Sequence, residues 1–200
     1  MIHVYYGDGK GKTTAAVGAA VRAAGHSVPV IFCQFLQDGL AGEIGMLEKM
    51  PGVYVLLQEH YFPEGMKLTE EEIHIMENDC NALIRRGVRT MSMVLKAQPR
   101  KVMVAENRKQ KFGVVKQPTI TPDVTGMFVF DGLLDALEQN LVEREEIMHI
   151  LLTLPPHIEV VITGRNPSLE FMALADYVTY MEKDRHPKDD GLMPRMGIEK

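Results

Sequence analysis

Short apolar runs alternate along this chain with segments whose apolar positions recur every three to four residues. The runs IHVYYG (2–7), VPVIFCQFL (28–36), VYVLLQ (53–58), MFVFDG (127–132), IEVVITG (158–164) and YVTYM (177–181) read as strands. Between them, KTTAAVGAAVRAAGH (12–26) reads as an alanine-rich helix closed by Gly25, and TEEEIHIMENDCNALIRRG (69–87) as a helix opened by Thr69 and Glu72 at capping-box spacing. Helical patterns also cover LLDALEQNLVEREEIMHILLTLP (133–155) and PSLEFMALA (167–175). Strands that are apolar on both faces and alternate with helices predict a doubly wound, mainly parallel α/β sheet covered on both sides. The whole chain, 1–200, reads as one such domain.

Ligands of such sheets bind at the carboxyl ends of the strands. The turn after the first strand, GDGKGKTT (7–14), lies there. Gly7, Gly9 and Gly11 let the backbone curl so that successive N–H groups can face phosphate oxygens, and the following helix adds the positive end of its dipole. Asp8 and Lys10 lie inside the turn, Lys12 supplies a mobile cation, Thr13 places a hydroxyl suited to magnesium at the helix start, and Thr14 follows it. The pattern is a phosphate-binding loop, and the sheet becomes a P-loop NTPase of RecA-like architecture. It is a shortened one, because the usual GxxxxGK[ST] spacing asks for glycine at position 6, where Tyr6 stands. A strand-to-helix turn that merely contains glycines is the plain alternative.

Composition narrows the function classes. A formal charge of −5 argues against wholesale nucleic-acid binding, and the two cysteines, Cys33 and Cys80, provide neither a disulfide framework nor a zinc-knuckle spacing. They fit a reducing cytoplasm. No apolar stretch is long enough to span a membrane, and the N-terminus lacks the basic-then-apolar pattern of an export signal. The seven histidines show no ligand spacing, and the fourteen methionines read as flexible core filler.

With its loop and three later segments together, the chain resembles the ATP:corrinoid adenosyltransferases of the CobA/BtuR/CobO type. GDGKGKTTAAVGAAVRAAGH matches the first motif, including the shortened loop. FLQDGLAGEIGMLE (35–48) resembles the exit from the family's second strand, with Gly42-Glu43 and Leu47-Glu48 in place. VVITGRNPSLEFMALADYVTYM (160–181) resembles its threonine-glycine-arginine strand and alanine-aspartate turn, and RHPKDDGLMPRMGIEK (185–200) its C-terminal stretch, with His186-Pro187, Gly191, Arg195 and Gly197-Ile198-Glu199 in register. The resemblance implies that ATP and a reduced corrinoid are the substrates, that magnesium accompanies the nucleotide, that a cobalt(I) corrinoid attacks the ribose 5′ carbon with triphosphate leaving, and that the protein is a homodimer. The protein's task is then to position that carbon in line and to neutralise charge growing on the leaving group.

Lys12 and Asp131 are the candidate catalytic residues. Asp131 ends MFVFD, where a carboxylate would reach the magnesium shell, together with Thr13, from the strand next to the loop. Arg165 follows VITG at another strand end and can contact phosphate, with a surface salt bridge as the plain alternative. Arg22, in the helix after the loop, matches a recurrent arginine of the family; a solvated helix face is its alternative. Tyr61 and Phe62, after His60, fall where the resemblance implies aromatic residues approaching the lower face of the corrin, against simple anchoring of the loop.

Departures from the family pattern accompany these matches. Gly132 stands where glutamate usually follows the strand-end aspartate, Gln37 replaces a lysine common after the second strand, and the chain opens directly on its first strand, where family members often carry a preceding segment. The stretch from about 95 to 126 is basic, contains three prolines and reads as an inserted loop or hairpin, either solvated or a lid for an anionic ligand. The leading reading is a corrinoid adenosyltransferase. A non-catalytic or regulatory ATP-binding paralogue, which the missing glutamate favours, is the alternative.

Overall fold

The computed structural model describes residues 1–63, 65–97 and 124–198. Among them, six strands form one sheet: β1 (Ile2–Tyr6), β2 (Val30–Gln34), β3 (Val53–Leu57), β4 (Gly126–Asp131), β5 (Ile158–Gly164) and β6 (Tyr177–Tyr180). Their order is β3-β2-β4-β5-β1-β6, and every neighbouring pair is parallel. The helices are α1 (Lys12–Gly25), α2 (Gly42–Leu47), α3 (Glu70–Ala97), α4 (Leu133–Glu138), α5 (Arg144–Thr153) and α6 (Leu169–Leu174), with a short 3₁₀ turn at Pro187–Asp190.

The continuous apolar runs are continuous because successive side chains enter different cores. Val30 and Phe32 join Met127, Val129 and Val161 under α1, where Ala16 and Ala20 keep the helix close to the sheet. Ile31, Cys33, Phe128, Phe130, Val160 and Ile162 face the opposite way, into a core completed by Cys80, Leu83 and Ile84 of α3, Leu133 and Leu134 of α4, and Ile147 of α5. The doubly wound α/β reading is therefore the observed architecture. Gly87 marks where α3 crosses the sheet most closely, since a Cβ there would stand 2.7 Å from Phe128 and 2.9 Å from Cys33 Sγ. β6 departs from the two-sided pattern: all four of its residues are exposed, as suits an edge strand.

Several local expectations change. The capping box forms, with Thr69 N–H donating to Glu72 Oε2 at 2.7 Å and Glu72 N–H to Thr69 Oγ1 at 3.2 Å, but α3 continues ten residues beyond Gly87 to Ala97. The helical stretch 133–155 is two helices. α4 ends because Asn140 adopts φ 56°, and Leu141 N–H returns to the Ala136 carbonyl at 2.9 Å, a left-handed helix stop that apolar periodicity does not reveal. At the end of α1 the left-handed residue is Ser27 (φ 59°), while Gly25 remains helical. The short helix α2 lies in a segment read only as a strand exit. Of the predicted basic insert, residues 95–97 end α3 and Gly126 begins β4; residues 98–123 lie outside the described residues. No helix among the described residues is long and apolar enough to cross a membrane.

Candidate nucleotide site

The loop between β1 and α1 is held almost entirely by backbone. Gly7 N–H lies 3.2 Å from the carbonyls of both Gly164 and Arg165, Gly9 N–H donates to the Met181 carbonyl at 2.7 Å, and Met181 N–H donates to Tyr6 at 2.7 Å. The loop is thus clamped between the end of β5 and the chain leaving β6. That clamp explains two of its glycines: a Cβ on Gly7 would stand 2.4 Å from the Met181 carbonyl oxygen, and one on Gly9 2.6 Å from it. Gly7 and Gly11 also adopt φ 118° and 117°, which side chains rarely tolerate. Gly11 then caps α1 with no side-chain bond, so the first amides of the helix face the loop.

Lys12 folds back across this loop, its Nζ donating to the Gly9 carbonyl at 2.8 Å. Burial pushes its pKa down, and the nearby charges of Asp135, Asp8 and Asp131 oppose that shift while Arg165 adds to it. Thr13 beside it is half-buried. Asp8, Lys10 and Thr14 are exposed, and Asp8 Oδ1 accepts from Lys183 N–H at 3.1 Å.

Asp131 is fully buried at the end of β4. Its Oδ1 accepts from Thr163 Oγ1 at 2.7 Å and its Oδ2 from Gln34 Nε2 at 3.2 Å, and the Thr13 side chain lies near enough to favour the charged carboxylate. Burial pushes its pKa up, and these hydrogen bonds offset part of that shift. The strands next to β1 are β5 and β6, however, and not β4. Asp131 meets Thr13 because α1 packs across β5 onto β4, carrying its first turn over the intervening strand.

Among the described residues, no three His, Cys, Asp or Glu side chains form a cluster able to hold a metal. Thr13 and Asp131 offer two hard oxygen donors beside a cation-rich loop. That set fits magnesium, which commonly takes one or two protein ligands and completes its shell with phosphate and water.

The loop forms one wall of a cavity of about 520 Å³. The opposite wall is the C-terminal stretch, which contributes Lys183, His186 and Lys188, while Lys10, Lys12 and Arg165 line the sheet side. Lys183 is drawn to Asp189 at 3.0 Å. His186 Nδ1 accepts from Lys188 N–H at 3.1 Å, which fixes the entry to the 3₁₀ turn. The lysines and arginine of the lining outnumber its carboxylates, Asp8 and Asp189, a balance that suits a polyanion of nucleoside-triphosphate size.

The remaining predicted residues lie elsewhere. Arg22 is exposed in the last turn of α1, ten residues and therefore about 15 Å along the helix from Lys12. Tyr61 and Phe62 follow β3, four strand spacings, or about 19 Å, across the sheet from β1. Tyr61 is exposed, whereas Phe62 packs against the α3-side core. Neighbouring His60 is tied to Asp79 Oδ2 through both its backbone N–H (2.7 Å) and its Nδ1 (2.9 Å).

Sequence reading missed Gln34, Thr163, Asp135 and Lys183. Thr163 had a visible signal, because it precedes Gly164-Arg165 at a strand end. Gly132, read as a lost carboxylate, has a backbone role. It adopts φ 84° at the start of α4, donates its N–H to Thr163 Oγ1 at 2.8 Å, and would place a Cβ 2.8 Å from the Phe35 carbonyl oxygen.

Comparison with known proteins agrees with this geometry. The profile of the family described as ATP:corrinoid adenosyltransferase BtuR/CobO/CobP matches residues 1–199. The corrinoid adenosyltransferase CobA of Salmonella typhimurium is 29% identical over 201 residues, covering all of this chain and 85% of that protein. Corrinoid adenosyltransferases of Sinorhizobium sp and Pseudomonas aeruginosa are each 27% identical, again across the whole chain and over 79% and 83% of their own lengths.

Proposed function

Because the chain belongs to the ATP:corrinoid adenosyltransferase family, we propose that it transfers the 5′-deoxyadenosyl group of ATP to the cobalt(I) of a reduced corrinoid and releases triphosphate. The observation that carries this reading is the cation-lined cavity over a glycine loop whose following helix starts with Thr13 near the buried carboxylate of Asp131. Cobalt(I) supplies the electron pair for the new cobalt–carbon bond. The C5′–O bond breaks, and its electrons leave on the triphosphate. The nucleophile needs no general base, so the protein's contribution is orientation and charge neutralisation.

Lys12, the loop amides and Arg165 take the triphosphate. Thr13 and Asp131 would hold magnesium, which when bound spreads the negative charge of the phosphates. Asp131 is kept in place by Thr163 and Gln34, so its orientation is set before nucleotide arrives. Of the two aromatic residues after His60, Tyr61 is exposed and available to a corrin ring, while Phe62 anchors its loop. We assign the protein a homodimeric state and the chain a single P-loop domain as part of the same reading.

An anaerobic assay with chemically reduced corrinoid, ATP and magnesium tests the proposal. Loss of the cobalt(I) absorbance, dependent on ATP and on Lys12, is expected. Retention of that absorbance, with ATP bound and every corrinoid tried, overturns it in favour of an ATP-binding protein that does not transfer adenosyl.

A further inference from the structure

We propose that Asp135 is a positioning residue of the nucleotide site, holding Arg165 from behind so that its guanidinium meets the triphosphate in one orientation. The inference rests on the reading above that this loop binds ATP.

The arrangement follows from two tight approaches. Gly164 ends β5 with φ 149°, and a Cβ there would stand 2.4 Å from Leu134 Cβ and 3.0 Å from Asp135 N. Only glycine lets the first turn of α4 butt against the end of β5. Gly132, in its left-handed conformation, aims that turn. Together they bring the Asp135 side chain beside Arg165, the residue after Gly164.

Asp135 Oδ1 stands 3.7 Å from Arg165 Nε. The same oxygen is buried and accepts no hydrogen bond among the described residues. A buried carboxylate oxygen without a donor is costly unless charges nearby compensate it. Burial raises the Asp135 pKa, and the Arg165 charge first, the Lys12 charge second and the Arg165 backbone N–H third oppose that rise. From the other side, Asp135 is the strongest of the charges that offset the burial of Lys12. Lys12 and Arg165 repel one another, and the Asp135 charge offsets that repulsion.

Lys12 and Arg165 line the cavity, whereas Asp135 is not among its described lining residues. The acid therefore acts on the phosphates through Arg165, the cation it touches. It also supplies a carboxylate to a region where Gly132 leaves none.

The sign of one effect separates positioning from simple charge. A bystander carboxylate repels triphosphate, so Asp135→Asn would tighten Mg-ATP binding. Positioning predicts the reverse. By isothermal titration, Asp135→Asn should weaken Mg-ATP binding three- to tenfold, and Arg165→Ala about tenfold. The double variant should be no more than about threefold weaker than Arg165→Ala alone, because an unheld Arg165 has little left to lose. In the transfer assay, Asp135→Glu should recover more of kcat than Asp135→Asn. Equal or tighter ATP binding by Asp135→Asn, or losses that multiply in the double variant, would overturn the proposal. If Asp135→Asn does not fold, Asp135→Ser in the same cycle decides it. Should the parent bind ATP without ever forming a cobalt–carbon bond, the transfer reading fails while the binding cycle still decides the role of Asp135.

Discussion

The two sides of the sheet's carboxyl edge are held by different means. Beside β1, the loop from Gly7 to Gly11 is clamped by main-chain bonds to Gly164, Arg165 and Met181, with Cβ-free backbone pressed against carbonyl oxygens. Beyond β3, the chain is held by side chains of α3. Asp79 takes His60, Arg86 Nη1 donates to the Leu57 carbonyl at 3.1 Å, and Gln58 lies between Cys80 Sγ and the Leu36 amide. The first side is fixed almost entirely by main-chain bonds, as the proposed triphosphate cradle requires. The second is anchored at a few points and leaves Tyr61 exposed.

The contrast breaks most severely at Gly7. Gly7→Ala drives a Cβ into the Met181 carbonyl at a φ of 118°, and strain of this kind costs about 2 to 3 kcal/mol. Urea denaturation should show that loss, with Mg-ATP no longer raising the melting temperature. A variant as stable as the parent would mean that the clamp is not rigid. Next in size is Lys12→Ala, which removes a charge-assisted contact worth about 1.5 to 3 kcal/mol, or roughly ten- to a hundredfold in ATP affinity. Stability without nucleotide should change little. Unaltered affinity would move the nucleotide out of the loop.

Asp131 sharpens the comparison through pH. Burial raises its pKa above the ordinary 3.8, so the native state holds the proton more tightly than the unfolded chain. Its contribution to stability is complete below about 3.8 and is lost as pH rises through the raised native value. Asp131→Asn escapes that loss. Without nucleotide, the variant should gain on the parent in melting temperature as pH rises from 4 to 8, while its response to Mg-ATP falls. A constant difference across that range would show that Asp131 titrates normally. The smallest effect is expected across the sheet: His60→Ala keeps the backbone bond to Asp79 and loses only the ring bond, about 0.5 kcal/mol at an exposed site, with ATP affinity unchanged.

The same contrast explains what the sequence disclosed. Strands buried on both faces are uninterrupted apolar runs, and a phosphate loop requires glycines at close approaches, so the doubly wound α/β sheet and residues 7–13 were legible. Lateral position was not. Nothing in MFVFD says that β5 separates it from β1, so the sequence puts Asp131 one strand too near the loop and gives no distances for Arg22 and Phe62. Gly132 was read as a missing carboxylate because its left-handed backbone is a property of the β4–α4 turn. Asp135 left no signal. A carboxylate in the first turn of a helix ordinarily reads as a dipole partner, and only the Gly164 contact carries it toward Lys12 and Arg165.

The central claim is that the cradle serves a leaving triphosphate and presents C5′, not the terminal phosphorus, to the nucleophile. ATP labelled with carbon-13 at the 5′ position, incubated anaerobically with reduced corrinoid and followed by carbon and phosphorus NMR, tests it most directly. The account predicts one equivalent of intact triphosphate per labelled carbon bound to cobalt. Orthophosphate and ADP, with the label still on the nucleotide, would contradict it.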